Sequence, residues 1–216
     1  RRRIGRLLAQ AGLRCKTRRK FKAPKTSGPA QTVAPNQLNR EFTVQAPDKV
    51  YVGDITYLPT GEGWLYLAVV LDLCSRAVVG WSMANHMRAE LVTHALSMAI
   101  GQRQPAAGLI MHTDRGSQDG ADRYRRLLAQ YGIEPSLSRQ GNGWDNAVAE
   151  SFFHTRKTAL AYLENFDTHE YVHMAVFEYI EVFYNRQRCH SANGYLAPLV
   201  YEQTLKTNEI SCPEKC

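Results

Sequence analysis

The chain has 216 residues, 44% of them hydrophobic, enough for one α/β domain with a real core and a small appendage. Its net charge of +7 is unevenly spread: residues 1–40 hold 12 Lys or Arg and no acid, and the other 15 basic and 20 acidic residues leave −5. No apolar run of about 18 residues and no signal peptide is present, so no membrane role is expected, and five irregularly spaced cysteines (Cys15, Cys74, Cys189, Cys212, Cys216) fit free thiols in a reducing cytoplasm better than a disulfide framework.

From the N-terminus, Ile4, Leu7, Leu8 and Ala11 share one helical face and Gly12 is placed to end that helix. The chain opens at Arg1 part-way through a basic helical pattern, so a fragment is expected, with residues 1–21 closing a DNA-recognition region. Arg14, Lys16, Arg18, Arg19 and Lys20 form a basic arm suited to releasing counterions from a phosphate backbone. Residues 22–47, with Pro24, Pro29, Pro35 and Pro47, read as a linker.

A core is expected over 48–203. Residues 50–57, 63–72 and 76–83 read as three consecutive antiparallel strands, 88–102 as a helix, 109–112 as a short buried strand, 118–131 as an amphipathic helix and 133–137 as a last strand. Two more helices are expected over 143–163 and 168–185, and residues 204–216 as a tail. The pattern alone gives an α/β domain with a mixed sheet.

Three carboxylates stand out: Asp54 and Asp114 at the ends of β-branched apolar runs, and Glu150 within a helical pattern. Asp54 follows Val50 and Val52 in alternation, so it points where apolar side chains point, and a metal would offset the cost of that charge. Folding that gathers all three at one sheet edge makes a site for two divalent cations, Mg²⁺ or Mn²⁺. Hard carboxylate ligands and paired ions suit phosphoryl transfer on a nucleic-acid backbone. Asn146, His154 and Lys157 share the helical face of Glu150 and can reach DNA phosphates, as can Arg115 and Gln118 beside Asp114. Asp72 and Asp145 read as turn formers or caps.

The words around these acids, Asp54-Ile55-Thr56-Tyr57, His112-Thr113-Asp114-Arg115-Gly116-Ser117-Gln118, Asp145-Asn146-Ala147 before Glu150-Ser151-Phe152-Phe153, and Tyr184-Asn185-Arg186 with His190-Ser191-Ala192-Asn193-Gly194-Tyr195, resemble bacterial insertion-sequence transposases with a retroviral-integrase-type core. The 35 residues between Asp114 and Glu150 match that family's spacing. Departures from its pattern, such as Tyr51 for Trp and Thr113 for Ser, touch no proposed ligand. The resemblance implies a ribonuclease-H-like, mixed five-stranded sheet flanked by helices, and DNA cleavage followed by strand transfer without a covalent enzyme intermediate. It implies that Asp54 bridges both ions while Asp114 and Glu150 hold one each, that Lys157 contacts DNA, and that the chain works on double-stranded DNA as a homo-oligomer. Arg186, Arg188 and His190 either contact DNA or fasten the last helix to the core.

Two alternatives stay open at this level: a DNA-binding derivative that has lost activity, and a zinc peptidase built on His169-Glu170-Tyr171-Val172-His173. The HExxH pattern is short enough to arise by chance, and its third ligand is unspecified.

Overall fold

The computed structural model describes residues 3, 6, 7, 10–12, 34–39, 41–114, 122–139, 146–159 and 167–210, with backbone only at 154–159 and 208–210. Three long strands, β1 (Val50–Thr60), β2 (Gly63–Asp72) and β3 (Val78–Ala84), form an antiparallel meander. Helix α1 (Ala89–Arg103) then carries the chain back, so that β4 (Ile110–Thr113) adds parallel to β1 on its free side. Helix α2 (Asp122–Gln130) and strand β5 (Glu134–Leu137) repeat the crossover, giving the order β3-β2-β1-β4-β5. Parallel neighbours need such crossovers, which explains why apolar β4 is short and buried under helices.

Alternation along the strands feeds two cores. Val50, Val52, Leu67, Val69 and Leu71 face helix α3 (Ala147–Ala159), which supplies Phe152 and Phe153, and helix α4 (His169–Phe177), which supplies Val172 and Val176. Tyr51, Ala68, Val70 and Val79 face Leu91, Ala95, Leu96 and Ala99 of α1 and Tyr124 and Leu128 of α2. Gly80 of β3 lies so close under α1 that an added Cβ would meet the Ala95 carbonyl oxygen and come within 2.7 Å of the Ala99 nitrogen.

Helix α4 runs on as a π-helical stretch, Glu178–Tyr184, which the sequence pattern does not announce. Its wider turn buries the consecutive pairs Tyr179 and Ile180, then Tyr184 and Asn185, five residues apart. The buried Asn185 side chain then behaves like an added strand: Oδ1 accepts from Val78 N and Nδ2 donates to Val78 O, both at 2.9 Å.

Two expected boundaries shift. Within the expected linker, Leu38 is buried, Phe42 and Val44 pack against the α3–α4 core, and Gln37 N donates to Ser136 Oγ at 2.9 Å, so residues 34–39 and 41–47 strap the domain irregularly instead of hanging free. Residues 22–33 lie outside the described set. The expected tail begins inside helix α5 (Pro198–Ile210), which Pro198 opens and Glu202 holds down through two 2.8 Å bonds with the Arg103 guanidinium. At the N-terminus residues 3, 6, 7 and 10 are helical, and Gly12 ends them at φ +69°. Among the described residues no helix is long and apolar enough to cross a membrane, and Cys74 and Cys189 are free thiols; Cys15, Cys212 and Cys216 are outside that set.

Because the α1 backbone leaves no room at Gly80, we expect Gly80→Ala to cost about 1–3 kcal/mol through overpacking. Urea unfolding followed by far-UV circular dichroism checks this, with an unchanged midpoint as the contrary result.

Candidate active site

β1 and β4 pair in register up to Gly53↔Thr113, so Asp54 and Asp114 are the residues that follow the last pair of the ladder. Asp54 is half-buried and continues the alternation of Val50 and Val52; its Oδ1 accepts from Ile55 N at 2.7 Å. Asp114, one residue past β4, is exposed. Both line a cavity of about 210 Å³ walled by Ala68, Val70, Met87, Ala95, Met111 and Tyr124. A Cβ on Gly53 would lie 2.5 Å from Met111 Cε and 3.2 Å from Thr113 Cγ2, so the glycine keeps this wall open.

Asn146, fully buried just before α3, ties the helix to this edge: Nδ2 donates to Gly53 O at 3.2 Å, beside Asp54. Glu150 follows four residues later, on the same face and about 6 Å further along the axis, exposed to solvent. Below Asp114, buried His112 has Nδ1 2.8 Å from Ser136 Oγ and Nε2 3.1 Å from Ser138 Oγ, which locks β4 to its neighbour.

Among the described residues no three His, Cys, Asp or Glu side chains already form an ion-holding cluster. What the structure does present is two aspartates that follow the last β1–β4 pair, a third acid on the docked helix, and a buried Asn146 Oδ1 with no hydrogen-bond partner. That set of hard oxygen donors fits a divalent cation.

The other residues marked in the sequence scatter. Arg14, Lys16, Arg18, Arg19, Lys20, Arg115 and Gln118 lie outside the described residues, while His154 and Lys157 are placed by backbone alone, one and two turns beyond Glu150 on α3. Arg186, Arg188 and His190 gather near β3, and each has an intramolecular partner. Arg186 Nε donates to Glu181 O at 2.9 Å, and Arg188 Nη1 lies 2.7 Å from His190 Nε2 with its guanidinium 5.6 Å from the Tyr184 ring centre. Asn193 Nδ2 donates to Ser75 O at 2.6 Å, so the asparagines of this motif fasten it to the sheet. Asp72 is a turn former: Oδ1 accepts from Ser75 N and Oγ, and Oδ2 from Asp48 N, while burial raises its pKa. Met87 and Tyr124 of the cavity wall carry no sequence signal, since separate elements deliver them.

The HExxH residues do not converge on a metal. His169 N donates to Glu62 Oε2 at 2.7 Å, capping α4, whereas the His173 ring packs 5.3 Å from Trp81.

Integrase core domain models match residues 44–143 and 150–205. The chain is 44% identical over 202 residues to the transposase for insertion sequence element IS904 of Lactococcus lactis, covering 93% of this chain and 79% of that protein. It belongs to the insertion-sequence transposases with an integrase core. A second member, transposase InsF of IS3A from Escherichia coli K12, is 44% identical over 195 residues, covering 90% of this chain and 68% of its own. The transposase fold is ribonuclease-H-like. It superposes on a chain of the simian T-cell lymphotropic virus intasome (TM-score 0.62, 13% identity, 88% of this chain and 62% of that one). It also superposes on the catalytic core of BIV integrase (TM-score 0.55, 19% identity, 75% and 99%) and on the HTLV-2 integrase core in complex with magnesium, trimeric form (0.53, 17%, 73% and 97%). The peptidase reading is not favoured beside a transposase family that spans the chain.

Burial first, then the charges of Arg188 and Arg76, push the His190 imidazole down from 6.5 to about 4. Its folded state therefore resists protonation, so this contribution to stability is complete above pH 6.5 and is lost as pH falls toward 4. We expect His190→Gln to flatten the pH dependence of the urea midpoint across that window; parallel profiles for the two proteins would contradict the assignment.

Proposed function

We propose that the transposase cuts and joins DNA at the ends of an insertion sequence through a site formed by Asp54, Asp114 and Glu150, with divalent metal, two ions in the active complex, as its cofactor. What supports this reading is the register of the β1–β4 ladder, whose last pair, Gly53↔Thr113, is followed by Asp54 on one strand and Asp114 on the other, with α3 tied to β1 there by Asn146. The chain's membership of the transposases supports a polynucleotidyl transferase, and the complex of the HTLV-2 integrase core with magnesium supports a divalent ion.

Asp54 and Asp114, which follow the last β1–β4 pair, and Glu150 on α3 would together hold the divalent metal. Magnesium or manganese bound there supplies positive charge for the attacking and leaving oxygens of an in-line displacement. The remaining steps belong to the DNA. Hydrolysis at the element end exposes a 3′-hydroxyl, and that hydroxyl attacks a second phosphodiester, forming one P–O bond as another breaks. Bond number is conserved, so no nucleotide triphosphate is consumed. Asn146 acts as a positioning residue, since its hydrogen bond holds α3 and therefore Glu150 against β1.

The basic segment containing Arg14, Lys16, Arg18, Arg19 and Lys20 supplies sequence-independent attraction to DNA phosphates, which weakens with salt. Lys157 and His154, following Glu150 on α3, extend that contact beside the site, and Arg115 and Gln118 flank Asp114. Arg186, Arg188 and His190 serve first as fasteners of the C-terminal segment. Holding two DNA ends together calls for more than one copy in the working complex, which acts in the cytoplasm on the nucleoid.

Asp54→Asn, Asp114→Asn and Glu150→Gln should each reduce Mg²⁺-dependent cleavage and strand transfer of a labelled element end to background while leaving duplex binding in a gel-shift assay nearly unchanged. Near-normal strand transfer by any one of them refutes that residue's role.

A further inference from the structure

His112 stands among the apolar residues that the sheet turns toward α3. It pairs with Val52 across the parallel ladder and so shares the face of Val50 and Val52, fully buried. An imidazole in such a place needs a partner at each nitrogen. Both come from the neighbouring strand: Ser136, its register partner on β5, meets Nδ1 at 2.8 Å, and Ser138, two residues on, meets Nε2 at 3.1 Å. Those two serines are about 7 Å apart at strand rise, a span that one flat ring with a nitrogen on either side can bridge. Neutral histidine offers one donor and one acceptor, and a serine hydroxyl serves as either, so the bridge closes in both tautomers.

What the bridge fixes is the end of β4. Asp114 and Ser138 are also the residues that follow the last pair of the β4–β5 ladder, Thr113↔Leu137. Ser138 N donates at 2.9 Å to Thr113 O, the carbonyl of the peptide group that leads into Asp114. Ser138 therefore grips that peptide group with its backbone while His112 grips Ser138 by its side chain. Ser136 is held in turn by the strap, whose Gln37 N donates to its Oγ at 2.9 Å. β4 has only four residues and Asp114 is exposed, so this carboxylate is anchored through the strand beneath it and not by packing of its own side chain.

We propose that His112 is a positioning residue: by bridging Ser136 and Ser138 it fixes the peptide link into Asp114 and so sets where that carboxylate meets the divalent metal. This rests on the acid-site reading and adds the residues that hold one of its three acids in place. Groups that orient a metal's ligands without touching the ion typically carry about 10–100-fold of its affinity.

The test measures Mn²⁺ binding to the full 216-residue chain without DNA, by titration calorimetry, beside urea unfolding of every variant. Ser138→Ala, which removes a hydroxyl and adds no bulk, should weaken Mn²⁺ binding about 10-fold, and Ser136→Ala, one step farther from Asp114, should weaken it less. His112→Phe keeps a flat ring but loses both bonds, and should match or exceed Ser138→Ala. Gly80→Ala controls for lost stability: it strains the opposite edge of the sheet and should bind Mn²⁺ as the wild type does. Asp114→Asn separates the two readings. Loss of Mn²⁺ binding there, with wild-type binding in folded Ser138→Ala and His112→Phe, overturns the positioning role alone. Unchanged binding in Asp114→Asn overturns the place of Asp114 in the acid site itself. A loss in Gly80→Ala equal to that in Ser138→Ala also overturns the positioning role, because affinity would then follow stability.

Discussion

The parallel pairing of β1 with β4 is the constraint on which the rest depends. Antiparallel neighbours can be joined by a tight turn, and β1, β2 and β3 are; a parallel partner requires the chain to travel back along the sheet first. Helix α1 makes that journey, and its return at Leu109 delivers a strand whose last ladder position, Thr113, sits opposite Gly53. One residue later on each strand is an aspartate. That juxtaposition in sequence order follows from the register, and the strands that set it are buried on both faces. His112, sandwiched between the Ser136 and Ser138 hydroxyls, satisfies its polar atoms without leaving that interior.

A different kind of fastening closes the opposite edge. β3 has a free side, which would otherwise be a template for pairing with another chain. Asn185 meets the Val78 donor and acceptor on that side, and Asn193 takes the Ser75 carbonyl in the turn before it, so side-chain amides stand where, among the described residues, no sixth strand pairs. The π-helical turn matters here because an ordinary helix would rotate Tyr184 and Asn185 off the core in turn, and the widened one keeps both facing it.

Much of this was legible in the residues, for reasons that differ from element to element. β2 is found at its bounds because an apolar run starts after Gly63 and ends at the turn-forming Asp72. Helix α1 lies one residue from its expected bounds, and the β1–β2–β3 meander follows from the short gaps between strands. The acids stood out by chemistry and spacing, and Asp54 and Asp114 are the residues that follow the last β1–β4 pair, Gly53↔Thr113. The strap of Leu38, Phe42 and Val44 was not legible, because three apolar residues without a period look the same whether they pack or not. Neither was α5, held by the Arg103–Glu202 pair, almost a hundred residues apart, and by Leu199, whose N donates to Asn185 O and whose side chain packs on the α1–α2 core. The cavity wall, assembled from β2, α1, β4 and α2, has no linear trace at all.

Gly80 carries a mechanical implication. With the backbone of α1 pressed onto β3 at a distance that only a hydrogen can occupy, the helix and the three-stranded meander form one body, and sliding between them would drive main chain into main chain. Compliance of the acidic edge toward a bulky polyanion therefore resides on the other side of the sheet, where α3 is pinned to β1 by the amide of Asn146 and by side-chain packing that can shear.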